Sequence, residues 1–292
     1  MKMLKHILER NMKDLKGKAF IVTGATRGIG QAIALKLATH GANLLILSKD
    51  SNEVVQKTHA QLASFGVKVL ILNIDISNIH ALKEAVVKSL DQFGRIDGLV
   101  NNTSATCFRN ALDLLPEQFD LMIATSVRAA LFLTQFCVPY LKQSSNPHVI
   151  NISPPLNMDA HWFKNYLGFS ISKYAMSMCT LGMAETFKKD KIAVNSLWPK
   201  STIATQTIKD HFSEKVYLAS REPSIMGDAA YQLMLRDSAE CTGHFFIDEE
   251  LLRQDGANDF SRYAIDPNTP LMQALFTPAE VDMLPVSEDL FF

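Results

Sequence analysis

Apolar and polar positions in this chain alternate on two rhythms, and their succession predicts the fold. Continuous apolar runs of strand length fall at residues 19–22, 43–47, 67–74, 98–101, 148–152, 192–197 and 244–247. Between them lie longer stretches of helical period, at 29–40, 53–65, 78–93, 116–141 and 163–188. Strands that are apolar on both sides and separated by helices belong to a parallel sheet covered on both faces. Right-handed crossovers then wind the sheet in both directions, giving an α/β, doubly wound (Rossmann-type) single domain with ligands at the carboxyl ends of its strands.

Residues 16–253 carry this alternation. Ahead of them, Leu4, Ile7, Leu8, Met12 and Leu15 recur at helical spacing, so residues 1–15 read as an amphipathic arm packed on its own domain or a neighbouring subunit. A mitochondrial targeting peptide is the alternative there, although Glu9 and Asp14 interrupt its positive face. Behind them, residues 254–292 contain Pro267, Pro270, Pro278 and Pro285 and read as an irregular tail over the domain, mobile at its acidic end.

Composition narrows the function. A 47% hydrophobic chain can fill one core, and a net charge of −1 without a basic block argues against nucleic acid. The four cysteines, Cys107, Cys137, Cys179 and Cys241, form no C-x-x-C pair, so a reducing compartment and a cytoplasmic location are expected. The 8 histidines show no metal-ligand spacing, so no metal is expected. Nothing is read as the ~20 apolar residues that cross a bilayer.

The sharpest motif is Thr23-Gly24-Ala25-Thr26-Arg27-Gly28-Ile29-Gly30, between the first strand and its helix. Gly24 permits a sharp exit from the strand, while Gly28 and Gly30 let pyrophosphate and helix approach the backbone. The helix opening at Ile29 turns free N–H groups and a positive dipole end toward phosphate. At the end of the second strand stand Ser48 and Lys49, with no acid at the strand end itself. Together with Arg27 they favour NADP(H) over NAD(H). Asp50 reads as a cap of the next helix.

These residues, with Asp75, Asn101-Asn102 and Lys173 in order and spacing, resemble the short-chain dehydrogenase/reductase family over about residues 16–250. The resemblance implies that Asp75 and Ile76 hold the adenine, Asn101 supports the cofactor and central sheet, Lys173 binds the nicotinamide ribose, and Thr202 meets the nicotinamide amide. It also implies hydride transfer between the cofactor and a carbonyl, hydroxyl or enoyl group. Longer stretches, including Asn151-Ile-Ser-Pro-Pro-Leu-Asn157, Trp162-Phe-Lys164 and Trp198-Pro-Lys200, resemble the dehydrogenase domain of the type 2 hydroxysteroid dehydrogenase-like group. That group carries a sterol-carrier-like domain that this chain is expected to lack, and it suggests a small apolar or acyl-type substrate.

The catalytic positions depart from the family. Phe169 stands where a tyrosine proton donor is expected, four residues before Lys173. The serine position is Ser153, followed by Pro154 and Pro155, and the asparagine position is Ser126. Tyr166 precedes Lys173 with six residues between, a spacing that resembles enoyl reductases. If the helix includes Tyr166, the two share a face. Three readings stay open: an active reductase, a silent cofactor-binding relative that senses or scaffolds, and an acyl-lipid carrier with a methionine-rich cleft. The resemblance further implies a homodimer or homotetramer paired through the helices at 116–141 and 163–188.

Overall fold

Residues 15–278 and 283–284 are described by the computed structural model. The arm positions Leu4, Ile7, Leu8 and Met12, and the acidic chain end, lie outside them. Seven parallel strands form one sheet: β1 (Ala19–Thr23), β2 (Asn43–Ser48), β3 (Val69–Asn73), β4 (Gly98–Asn101), β5 (His148–Asn151), β6 (Ala193–Trp198) and β7 (Phe245–Ile247). Their order is β3-β2-β1-β4-β5-β6-β7. The chain therefore reverses direction across the sheet between β1 and β4, where a crevice opens at the strand ends.

Each strand side feeds a different core because side chains alternate with period 2. Phe20, Val22, Leu44 and Ile46 join one buried cluster, whereas Ile21, Leu45 and Leu47 join the other. The first cluster is covered by α1 (Gly28–Thr39) and by the helix at Ser224–Leu235, which apolar periodicity did not single out. The second is covered by α3 (Ile79–Phe93) and α5 (Ala129–Leu141); α2 (Asn52–Ala63) lies farther out with most of its surface exposed.

The expected long helix at 116–141 is three pieces: α4 (Pro116–Ile123), a π-helical turn at Ala124–Arg128, and α5. By length and composition this stretch is apolar enough to cross a membrane, which corrects the sequence expectation of none. In this fold its buried residues Ala129, Leu133, Cys137 and Leu141 pack into the second core.

The expected helix at 163–188 also divides. A short α6 (His161–Lys164) stops, Asn165 caps it, Tyr166 leaves helical geometry, and α7 (Leu167–Phe187) begins. Between β6 and β7, unassigned from the sequence, lie α8 (Gln206–His211), α9 (Glu214–Leu218) and α10 (Ser224–Leu235); α11 (Asp248–Gln254) follows β7. From Asp255 onward the described residues are irregular, with one 3₁₀ turn among them at Ser261–Tyr263. It is joined to the domain by isolated bridges, Arg221 to Ala264 and Ser201 to Gln273.

Candidate functional site

The turn after β1 is built for close approach. Gly24 and Gly28 have φ of 65° and 58°, the left-handed region that only glycine enters without strain. A Cβ on Gly30 would collide with the Gly24 carbonyl and come within 2.5 Å of the Asn102 amide nitrogen. Asn102 is the fastener here, donating from Nδ2 to the carbonyls of Thr23 (2.9 Å) and Gly24 (3.2 Å). Thr23 returns the link, its hydroxyl accepting from the amides of Asn102 and Thr103 at 2.9 and 3.0 Å. Neither Thr23 nor Asn102 had been assigned this role from the sequence.

Among the described residues no side chain caps the start of α1, and its first turn holds no acid. The free amides of Gly28, Ile29 and Gly30 thus present an anion site at the sheet reversal, so these residues fit a dinucleotide pyrophosphate. Thr205, beyond β6, faces this turn, with its methyl 3.3 Å from where a Gly28 Cβ would stand.

The end of β2 differs from the sequence reading. The strand runs to Ser48, and α2 starts at Asn52 after Ser51, so Asp50 is not its cap. The Asp50 carboxylate turns back and accepts from the hydroxyls of Thr26 and Ser48, which are themselves 3.1 Å apart. Arg27 approaches it at 3.8 Å. Partial burial works against the ionised form, yet the hydroxyls of Ser48 and Thr26 and the Arg27 charge hold the acid below its usual range. An ionised acceptor therefore stands where the sequence reading found none. Lys49 is also occupied, donating to Asp75 at 2.8 Å. With Ser77 this pairing pulls the Asp75 acid down to about 2. Ile76 is buried beside it in the second core.

Across the crevice, a buried polar chain ties the strand ends together. Asn101 donates to Thr134 (3.2 Å) and to Asn151 (2.9 Å), Asn151 donates to Thr180 (2.8 Å), and Thr180 meets Ser196 (2.9 Å). Ser153 ends this chain, its hydroxyl 2.8 Å from that of Ser196. Ser153, at the family's serine position, is fully buried with its hydroxyl on that of Ser196 in β6. Ser126 sits in the π-helical turn, fully buried, its hydroxyl without a partner among the described residues. Such turns widen a helix by one residue and recur at functional sites.

Lys173 lies fully within α7, and its ammonium donates to the Ile152 carbonyl at 2.9 Å. The Trp198 ring covers it at 5.5 Å. Burial pushes its pKa down to about 7. Phe169, one turn earlier, is 6% exposed and wedged between Phe108 and Phe276, ring centres 5.3 and 6.0 Å away.

Tyr166 requires a correction. It is the N-cap of α7 and not a residue within it, with φ −135° and ψ 34°. Its carbonyl instead accepts the Ser170 amide (2.8 Å), and the Ser170 hydroxyl donates to Trp162 (2.6 Å), which sets the helix start. Its ring packs edge-on against Phe108 at 5.9 Å. Thr202 is likewise engaged: its hydroxyl meets Ser220 at 2.8 Å and its amide donates to Met272 at 2.9 Å. Among the described residues no cluster of metal-ligating side chains occurs.

Comparison with known proteins gives a consistent picture. The family model described as short chain dehydrogenase matches residues 18–215. The chain is 41% identical over 272 residues to hydroxysteroid dehydrogenase-like protein 2 of Xenopus laevis, covering 91% of this chain and 65% of that protein, so it spans just under two thirds of its relative. A solved structure from Xanthomonas campestris superposes with a TM-score of 0.85 at 38% identity, over 91% of this chain and 99% of the other. A short chain dehydrogenase from Mycobacterium thermoresistibile gives 0.84 at 32%, over 91% and 97%.

Proposed function

Because the chain belongs to the short-chain dehydrogenase family, whose members bind nicotinamide cofactors, we propose that it binds such a dinucleotide but lacks the family's tyrosine-dependent proton transfer. The observation that carries this reading is Phe169, a ring without a titratable proton, packed between Phe108 and Phe276. A bound nicotinamide exchanges a hydride, and the reduced carbonyl oxygen then needs a proton. General acid–base groups contribute about 10²–10⁴-fold to such steps. Position 169 contributes none, and the Ser153 hydroxyl is turned into the sheet.

The residues suited to hold the dinucleotide are Gly28, Ile29 and Gly30 for pyrophosphate, Thr26, Ser48 and Asp50 for the adenosine ribose, and Asp75 with Ile76 for adenine. Lys173 and Thr202 would hold the nicotinamide half, as the family resemblance implies. Asp50 changes the cofactor preference inferred from the sequence. An ionised carboxylate accepts from a ribose 2′-hydroxyl and repels a 2′-phosphate, and the cations that favoured NADP(H) are paired with Asp50 and Asp75. NAD(H) is therefore the cofactor proposed, ahead of NADP(H).

A second reading keeps the chain active on a small apolar or enoyl-acyl substrate, with Tyr166 as a relocated acid. Its support is that Tyr166 and Phe169 pack on the same Phe108 ring. The acyl-carrier reading loses its basis, since Met158 and Met178 are exposed while Met176 and Met183 are in the core. The test is turnover with NADH or NADPH across ketones and enoyl thioesters for the parent, Tyr166→Phe and Phe169→Tyr. Cofactor binding by calorimetry without parent turnover is the expected result. Enoyl reduction lost in Tyr166→Phe supports relocation instead, and no binding of either reduced cofactor to folded protein removes both readings.

A further inference from the structure

Among the described residues two cationic side chains are buried: Lys173 at the candidate site, and Arg221 in the link between α9 and α10. The Arg221 backbone bridges Ile203 and Ala264, and its amide donates to the Thr202 carbonyl at 2.9 Å. The segment leaving β6 and the tail therefore meet at this residue. Its guanidinium donates to Glu249 at 2.5 Å, and Glu249 also takes Arg253 at 2.8 Å and Lys200 at 3.4 Å. Beside Glu249, Asp248 is fully buried, its Oδ1 accepting the amides of Lys200 (2.9 Å) and Glu249 (2.7 Å). Burial pushes the Asp248 acid up to about 6, against the pull of those amides and of the Arg221 charge.

This junction has more hydrogen-bonding capacity than its own residues use. Arg221 gives Nη2 to Glu249, but its Nε and Nη1 are buried without a partner among the described residues. The same holds for Oδ2 of Asp248 and for the hydroxyl of Ser201, one residue past Lys200. The spare groups are opposite in kind, since a guanidinium only donates and an ionised carboxylate only accepts. Yet no ion pair joins Arg221 to Asp248, although each charge acts on the other. Buried polar groups are paired as a rule, and an unmet charged one bears its whole desolvation cost. Arg221 and Arg253 both converge on the one carboxylate of Glu249, so the local field favours a negative ligand over a neutral one. The cluster reaches solvent through Arg253, whose side chain is half exposed.

We propose that Arg221 and Asp248 form a binding site for a small oxyanion that carries a hydroxyl, such as hydrogencarbonate or hydrogen phosphate. Its bare oxygens accept from the spare N–H groups of Arg221, and its hydroxyl donates to Oδ2 of Asp248. The arrangement is selective. Nitrate and sulfate have no hydroxyl, so they set lone pairs against the carboxylate where a hydroxylated anion gains a hydrogen bond. Asp248 cannot turn away, because two backbone amides hold its other oxygen. In Asp248→Asn the amide oxygen keeps those two bonds, which puts the NH₂ group where Oδ2 stood. An acceptor becomes a donor, and the preference inverts. Such a ligand ties the segment leaving β6, Arg221 and the residues after β7 together, so it stabilises the folded chain by mass action. The site is separate from the glycine turn and stands whether or not a dinucleotide binds there.

The experiment follows thermal unfolding and calorimetry of the full chain, above about pH 6 so that Asp248 is ionised. Hydrogencarbonate, hydrogen phosphate, nitrate and sulfate are titrated at matched ionic strength, with and without ADP-ribose at the glycine turn. The expected result is a saturable rise in Tm with a hydroxylated anion. It should bind about tenfold tighter than its counterpart of like size, nitrate for hydrogencarbonate and sulfate for hydrogen phosphate. The pair that responds gives the size of the ligand. Asp248→Asn, its fold checked by circular dichroism, should reverse the ranking within that pair. The wild-type ranking decides the matter if the variant does not fold. No saturable effect from any of the four anions, equal affinity within both pairs, or an unchanged ranking in folded Asp248→Asn overturns the proposal. Anion binding that ADP-ribose abolishes belongs to the glycine turn and overturns it as well.

Discussion

At the scale of single residues, Asp50 and Lys173 show how surroundings redefine a side chain. Asp50 sits two residues past the end of β2 and looks like a helix cap in one dimension, but hydroxyls of Thr26 and Ser48 collect it into the cofactor crevice. Asp50→Asn should raise affinity for NADPH and lower it for NADH, each by about tenfold, as charge repulsion and one ribose acceptor are removed. Comparative titration checks this, and an unchanged ratio would show that Asp50 does not set the preference. Lys173 is legible by position and spacing; its full burial is not. Its amine is neutral in the fold above about pH 7 but charged in the unfolded chain up to about 10.5. Unfolding therefore takes up a proton in that window, and stability rises with pH through it; below about 7 the whole burial penalty stands. Lys173→Met should be the more stable chain at pH 6, with its advantage shrinking by roughly 2 kcal/mol toward pH 9. Denaturant midpoints at both pH values measure it, and a constant difference would contradict the shift.

Elements were legible where periodicity alone defines them. The strands fall within a residue or two of their expected positions, because an apolar run bounded by polar residues has one stable place, in the sheet. Helix interiors were harder. Gly168 packs so closely that a Cβ would stand 2.6 Å from Met122, and nearby Asn165 and Tyr166 break what reads as one continuous helix. That break makes Tyr166 the N-cap of α7 and not a residue within it. The π-helical turn that buries Ser126 leaves no mark on apolar spacing either. The polar chain from Thr134 through Asn101 and Asn151 to Ser196 joins elements distant in sequence. Asn101→Ala should cost roughly 1–3 kcal/mol, since it leaves a buried Asn151 oxygen unpaired. Urea unfolding tests this, and an unchanged midpoint would deny the chain a structural role.

For the whole molecule, the outward faces of α4, α5 and α7 remain apolar at Leu121, Leu131, Ile171, Met178 and Leu181, with Met178 64% exposed. We expect these helices to pair between two copies, and Met178→Glu combined with Leu181→Glu to yield monomers by light scattering. A wild-type monomer at micromolar concentration would contradict the pairing. The sequence by itself determined the sheet, the glycine turn at its reversal and a side chain without a titratable proton at position 169, because these follow from local spacing and residue chemistry. Only the tertiary structure decided that Asp50 folds back onto Thr26 and Ser48, that Ser153 turns inward, that Tyr166 caps its helix from the first turn and that Phe276 fills an aromatic box. Each of those is a contact between segments far apart along the chain, where packing and hydrogen-bond satisfaction, not periodicity, choose the outcome.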